Sequence, residues 1–128
     1  KIDQDKIPVG LRVDIPYKYF QPHSRGFVRA IFKEVDAVTI MCYHNNPEKI
    51  MRMATAGLKE VSVPAEIGIE LSAKAPKTDT LHGMNPNELD ALLSGIRRKL
   101  AGYDSFSGIV VHDVTALLKT MEKRNNED

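Results

Sequence analysis

Glu70 and Asp14 are the residues with the most chemistry open to them. Each sits at the end of a short apolar run, Gly68-Ile69-Glu70-Leu71-Ser72 and Leu11-Arg12-Val13-Asp14. A carboxylate placed there is costly unless it reaches water or a partner. Two carboxylates in one cleft can act as nucleophile, base and acid. Two further runs end in the same manner, Thr39-Ile40-Met41-Cys42-Tyr43-His44 and Gly108-Ile109-Val110-Val111-His112-Asp113. His112 can hold a hydroxyl or shuttle a proton, and Tyr43 can hydrogen-bond a ligand through its phenol. Arg12 is either a ligand contact or an ion-pair partner for Glu70 or Asp14. Four apolar runs with polar endings, at similar intervals, point to one shared site at the C-terminal edge of a parallel sheet.

The segments between these runs read as helices. Ser24 is an N-cap for a helix near residues 24–34, with Phe27, Ile31 and Phe32 as its apolar stripe. Asn46-Pro47 and Asn85-Pro86 each place an N-cap before a proline at the first helical position. Ile50, Met53, Ala54 and Leu58 form the stripe of the first of these helices, and Leu89, Leu92, Leu93, Ile96 and Leu100 that of the second. Gly102 stands where a C-terminal cap belongs. Val114, Leu117, Leu118 and Met121 mark a last helix, and Arg124–Asp128 reads as a frayed tail. The first strand is followed by an aromatic loop, Tyr17-Lys18-Tyr19-Phe20. A long loop, 72–84, contains His82.

This alternation predicts one α/β domain over residues 1–128, with four βα units and parallel strands joined by right-handed crossovers. Period-2 alternation assigns Leu11, Val13, Ile40, Cys42, Ile67, Ile69, Leu71, Ile109 and Val111 to a helix-covered face. The other face receives Arg12, Asp14, Thr39, Met41, Tyr43, Gly68, Glu70, Gly108, Val110 and His112. A doubly wound sheet buries both faces and reads as apolar throughout. A mixed second face fits the interior of a β/α barrel better, and four units make half of one. A flavodoxin-like open sheet is the alternative.

Composition narrows the function classes. The chain has 128 residues and a formal net charge of +1, which gives no electrostatic case for nucleic acid. Cys42 is the one cysteine, which rules out an intrachain disulfide and a cysteine-based zinc cluster, and its place is in the core. No apolar run approaches the ~20 residues needed to span a bilayer. Lys1–Asp5 leads into Ile7-Pro8-Val9 without a signal-peptide pattern, and the absence of an initial Met marks a processed chain or a piece of a longer one. The compartment stays open, with export to the periplasm or beyond compatible with a removed leader. Glycine-rich nucleotide loops and the Gly-x-Ser-x-Gly elbow are missing, so no cofactor is implied. Asp14, Glu70 and His112 have no compact metal-ligand spacing, and no metal is expected.

Several segments resemble a family. Ile40-Met41-Cys42-Tyr43-His44-Asn45 is similar to the Met-x-Tyr motif on the sixth strand of chitinase-like glycoside hydrolase barrels. Phe106-Ser107-Gly108-Ile109-Val110-Val111-His112-Asp113 resembles the closing strand of related bacterial glycosidase barrels. Ile67-Gly68-Ile69-Glu70-Leu71 and Thr80-Leu81-His82-Gly83-Met84 resemble the penultimate strand and its loop. The resemblance covers residues 35–118 and implies that the four strands correspond to the fifth through eighth of a barrel. The family's run of alternating aspartates ending in glutamate is absent from this chain. The resemblance therefore implies a missing N-terminal half that carries the proton donor.

The function expected from the resemblance is part of a carbohydrate-active, glycoside-hydrolase-like barrel that binds a polysaccharide or glycoconjugate at its strand ends. Glu70 and Asp14 would be catalytic carboxylates; in another large glycosidase clan the nucleophile is a glutamate on the seventh strand. Arg12, Tyr43 and His112 would bind substrate, and Tyr17 and Tyr19 would stack on sugar rings, unless the aromatic loop is a hydrophobic plug. The competing expectation is a non-catalytic α/β binding or assembly domain that dimerises to close its sheet. The partners implied are a carbohydrate, and either the missing half-barrel or a second copy; neither nucleic acid nor membrane is among them.

Overall fold

The computed structural model describes residues 10–127, so the Lys1–Val9 lead-in and Asp128 lie outside the described residues. Four strands, β1 (Arg12–Pro16), β2 (Ala37–Met41), β3 (Ala65–Glu70) and β4 (Phe106–His112), alternate with four helices. The helices are α1 (Arg25–Phe32), α2 (Pro47–Glu60), α3 (Pro86–Leu100) and α4 (Val114–Glu127). The strands form one parallel sheet in the order β1-β2-β3-β4.

Consecutive order has a consequence for layering. A right-handed crossover that always steps to the next strand in the same direction places every helix on the same side of the sheet. A flavodoxin-like sheet reverses its strand order; this sheet does not, and that alternative is set aside. The burial pattern agrees with single-sided winding. Ile15, Val38, Ile40, Cys42, Ala65, Ile67, Ile69 and Leu71 are buried with Ile50, Ala54, Leu58, Leu89, Ile96 and Leu100 of α2 and α3. On the other face, Arg12, Asp14, Ser107-flanked Gly108, Val110 and His112 are exposed or half-exposed. Face assignment by alternation holds for most positions, with Thr39, Gly68 and Glu70 buried although they belong to the open face.

The two Asn-Pro caps form as their local chemistry dictates. The Asn46 side chain accepts from the backbone N–H groups of Glu48 and Lys49 at 2.9 and 3.3 Å, and that of Asn85 accepts from Asn87 at 2.8 Å. Three expectations are corrected. Ser24 occupies the N-cap of α1 without a side-chain cap bond, and Val28 and Phe32 are the buried stripe while Phe27 is exposed. Gly102 does not take a left-handed cap: Ala101 is the C-cap in helical conformation, with its N–H donating to Arg97 O. The tail is not frayed over its described part, because α4 runs to Glu127 and Arg124 pairs with Asp90 and donates to the Pro86 carbonyl. The last helix forms where Val114, Leu117, Leu118 and Met121 mark it; Val114, Leu118 and Met121 are exposed, and Leu117 and Ala116 pack against the core.

The aromatic segment is also corrected. It is a 3-10 turn, Tyr17–Phe20, continued by a second over Pro22–Ser24, and it packs against α1 and α2. Phe20 is buried beside Phe32, with ring centres 6.2 Å apart, and Tyr19 lies against Phe27 at 5.6 Å. Rings of this size gain more from the apolar helix layer than from water.

Candidate functional site

Strand register builds the site. Glu70 is directly paired with His112 across β3–β4, and extending the Met41–Gly68 pairing by two residues puts Tyr43 opposite Glu70. Tyr43, Glu70 and His112 therefore stand in one row at the C-terminal edge, on the face that the helices leave open. The Tyr43 and His112 rings are 6.3 Å apart, tilted by 35°.

Glu70 and His112 make the closest contact of the site. His112 Nδ1 lies 2.9 Å from Glu70 Oε1 and 2.8 Å from Oε2. The backbone N–H of Ser72 donates to Oε1 at 2.8 Å. The two partners differ sharply in exposure: the Glu70 side chain keeps 6% of its surface in water, the His112 side chain 55%. An ionised carboxylate only accepts, so Nδ1 carries the proton it donates, and the Nε2 edge is left to solvent or a ligand. This bond is the main reason that the His112 pKa lies above its ordinary 6.5; burial opposes the rise, and the charges of Glu70 and Asp113 add to it.

The main chain of Glu70 is held as firmly. Its carbonyl accepts from Leu81 N–H at 2.8 Å and from Thr80 Oγ1 at 3.3 Å, and Leu71 N–H donates to the His112 carbonyl at 2.7 Å. The long loop is thus tied back to the strand end that carries the carboxylate. It is tied on its other side by Asn45, whose N–H donates to Thr78 O and whose Nδ2 donates to Lys77 O. His44 serves the neighbouring cap, its Nδ1 accepting from Asn46 N–H at 3.0 Å. The peptide between His112 and Asp113 is cis, and the Asp113 carboxylate caps α4 by accepting from Ala116 N–H at 3.0 Å.

Tyr43 feels three influences. Burial is the largest, and the charges of Glu70 and then Asp14 add to it; all three push its pKa above 10.0 and keep the phenol a hydrogen-bond donor. Asp14 is exposed and lies in register with Thr39, four residues down the strand from Tyr43, so its charge reaches the site although its side chain is not hydrogen-bonded to Glu70.

Arg12 does not pair with Glu70. Its guanidinium meets Glu66 Oε2 at 2.6 Å. Glu66 aligns with Thr39 and Asp14, one same-face step above the Arg12 row, whereas Glu70 lies four residues further along β3, roughly 13 Å of strand. Sequence reasoning passed over Glu66; its spacing of four from Glu70 puts both on the open face, and that signal was available. Tyr17 and Tyr19 are partly buried against the helix layer, apart from the Glu70 row. Cys42 is fully buried on the covered face, and loss of hydration pushes its thiol up to about 12. Among the described residues no group of three His, Cys, Asp or Glu side chains is arranged to hold a metal ion, and no helix is long and apolar enough to cross a membrane.

The fold and site define a singly wound α/β sheet with a histidine–carboxylate pair on its open rim. No family model, curated protein or solved structure matches the chain.

Proposed function

We propose that these four βα units are part of a carbohydrate-active, glycoside-hydrolase-like barrel, with the Glu70 row on its inner rim. The observation that carries this reading is the open face: a parallel sheet with all helices on one side and a polar row of Tyr43, Glu70 and His112 at the strand ends. Further βα units supply the rest of the barrel. Among the described residues β1 and β4 each pair on one side only, and these edges, with the exposed Val114, Leu118 and Met121 of α4, are where they join.

The division of labour follows from exposure. His112 presents Nε2 to the ligand and moves the proton, while Glu70 fixes the ring and balances its charge. Asp14 is the second carboxylate of the face, and Tyr43 donates to a sugar oxygen. Glu70 remains a candidate nucleophile if His112 swings aside, since its carboxylate is otherwise shielded. The test is hydrolysis of oligosaccharides by the full-length protein: Glu70→Gln and His112→Ala each lower reducing-end release by about 10²-fold or more. Wild-type rates in both variants would remove the pair from the mechanism.

A second reading rests on the same open edges. A non-catalytic domain that pairs with a second copy would bury both edges and the α4 stripe. Sedimentation separates the two, since this reading requires a dimer of the chain alone, abolished by Leu118→Glu.

A further inference from the structure

A second concavity lies beside the rim, between the loop after β3 and the outer surface of α4. It is a half-open pocket of about 350 Å³, within the size range of small-molecule pockets. Its walls bring together Lys74 and His82 from the loop and Lys119 and Lys123 from α4. Lys119 and Lys123 are one helical turn apart, a like-charge pair that destabilises a helix unless an anion lies nearby. Among the described residues none of the three lysines makes an ion pair. The one carboxylate in the wall, Asp113, is committed to capping α4 through Ala116 N–H. Leaving His82 aside, three lysines and one carboxylate line the cavity, an excess of two positive charges.

The walls are also fixed in place. Ser72 Oγ accepts from Lys74 N–H at 3.1 Å, and Thr80 Oγ1 accepts from His82 N–H at 3.1 Å, so both loop residues are held by short turns. The apolar residues of α4, Val114, Leu118 and Met121, are absent from this wall. The helix therefore divides its surface between a basic pocket face and an apolar face.

We infer that this cavity binds the oxyanion of a small molecule, a phosphate or carboxylate group on a ligand of monosaccharide size. The charge excess selects the anion, and a volume of about 350 Å³ admits a small ligand. The pocket is distinct from the Glu70–His112 pair, although Ser72 connects them: its N–H donates to Glu70 and its hydroxyl accepts from Lys74.

Calorimetric titration tests this with four probes: inorganic phosphate, glucose 6-phosphate, glucuronate and glucose. Saturable binding of a phosphate probe or of glucuronate is expected, with glucose silent, and whichever anion binds identifies the source. The double variant Lys119→Gln/Lys123→Gln weakens that binding at least about tenfold, while Lys119→Arg/Lys123→Arg retains it. The glutamine variant leaves the His112 titration unchanged, which separates this pocket from the catalytic reading. Failure of every anion to bind, equal binding of glucose, or undiminished binding in the glutamine variant would overturn the inference.

Discussion

The Glu70 carboxylate holds Nδ1 of His112 within 2.9 Å across a directly paired position of β3 and β4, although 42 residues separate the two in the chain. One partner is shielded and the other is exposed, so in this arrangement the ring and not the carboxylate meets solvent. Register places the pair, and the Ser72 N–H bond and the Thr80 and Leu81 contacts stop Glu70 from drifting away.

That bond couples stability to pH with a definite sign. The folded-state pKa of His112 is raised above 6.5. Its contribution is therefore fully present below the unfolded value and is lost as pH rises through the raised folded value. Urea midpoints measured from pH 5 to pH 9 fall across that window in the wild type. In Glu70→Gln this part of the slope disappears. An unchanged slope in the variant would place the titrating group elsewhere.

Arg12 and Glu66 form a half-exposed pair, with side chains 46% and 25% accessible. Pairs of this kind contribute at most about 1 kcal/mol. A double-mutant cycle with Arg12→Ala and Glu66→Ala gives a coupling of a few tenths to about 1 kcal/mol, reduced by salt. The Arg12–Glu70 cycle gives none.

The caps of α2 and α3 are independent local stabilisers. Asn46→Ala and Asn85→Ala each lower unfolding free energy by about 1 kcal/mol, with the larger loss at Asn46, whose oxygen accepts two N–H groups rather than one. Chemical denaturation of the two variants checks both the size and the order.

Cys42 is inert in the folded protein. Its thiol is fully buried and pushed up to about 12, so thiolate is scarce and reagents have no access. A colorimetric disulfide reagent at pH 8 labels it only on the unfolding timescale, and the full reaction appears at once in denaturant. Prompt labelling of native protein would contradict the packing.

Features with local causes were legible in the sequence. Asn46-Pro47 and Asn85-Pro86 carry their own hydrogen-bond chemistry, and alternation along Ile67–Leu71 sorted the faces of β3. The pairing of Glu70 was not legible, because it depends on register between strands that helix α3 separates, and Glu66 took Arg12 instead. The helical spacing of Val114, Leu118 and Met121 was legible, but not their exposure: α4 packs against α3 and β4 through its other side, and these three stay in water. Tyr17 and Tyr19 follow a strand, a place that suits ligand platforms and packing alike; in the fold both are partly buried against the core, with Tyr19 beside the exposed Phe27.

The most direct test of the Glu70–His112 pair is the NMR titration of the His112 ring in wild-type protein and in Glu70→Gln. The wild-type ring is expected to titrate above 6.5 and to return toward that ordinary value when the carboxylate becomes an amide. Equal titration in the two proteins would show that Glu70 does not hold the histidine, and the proposed site would lose its central contact.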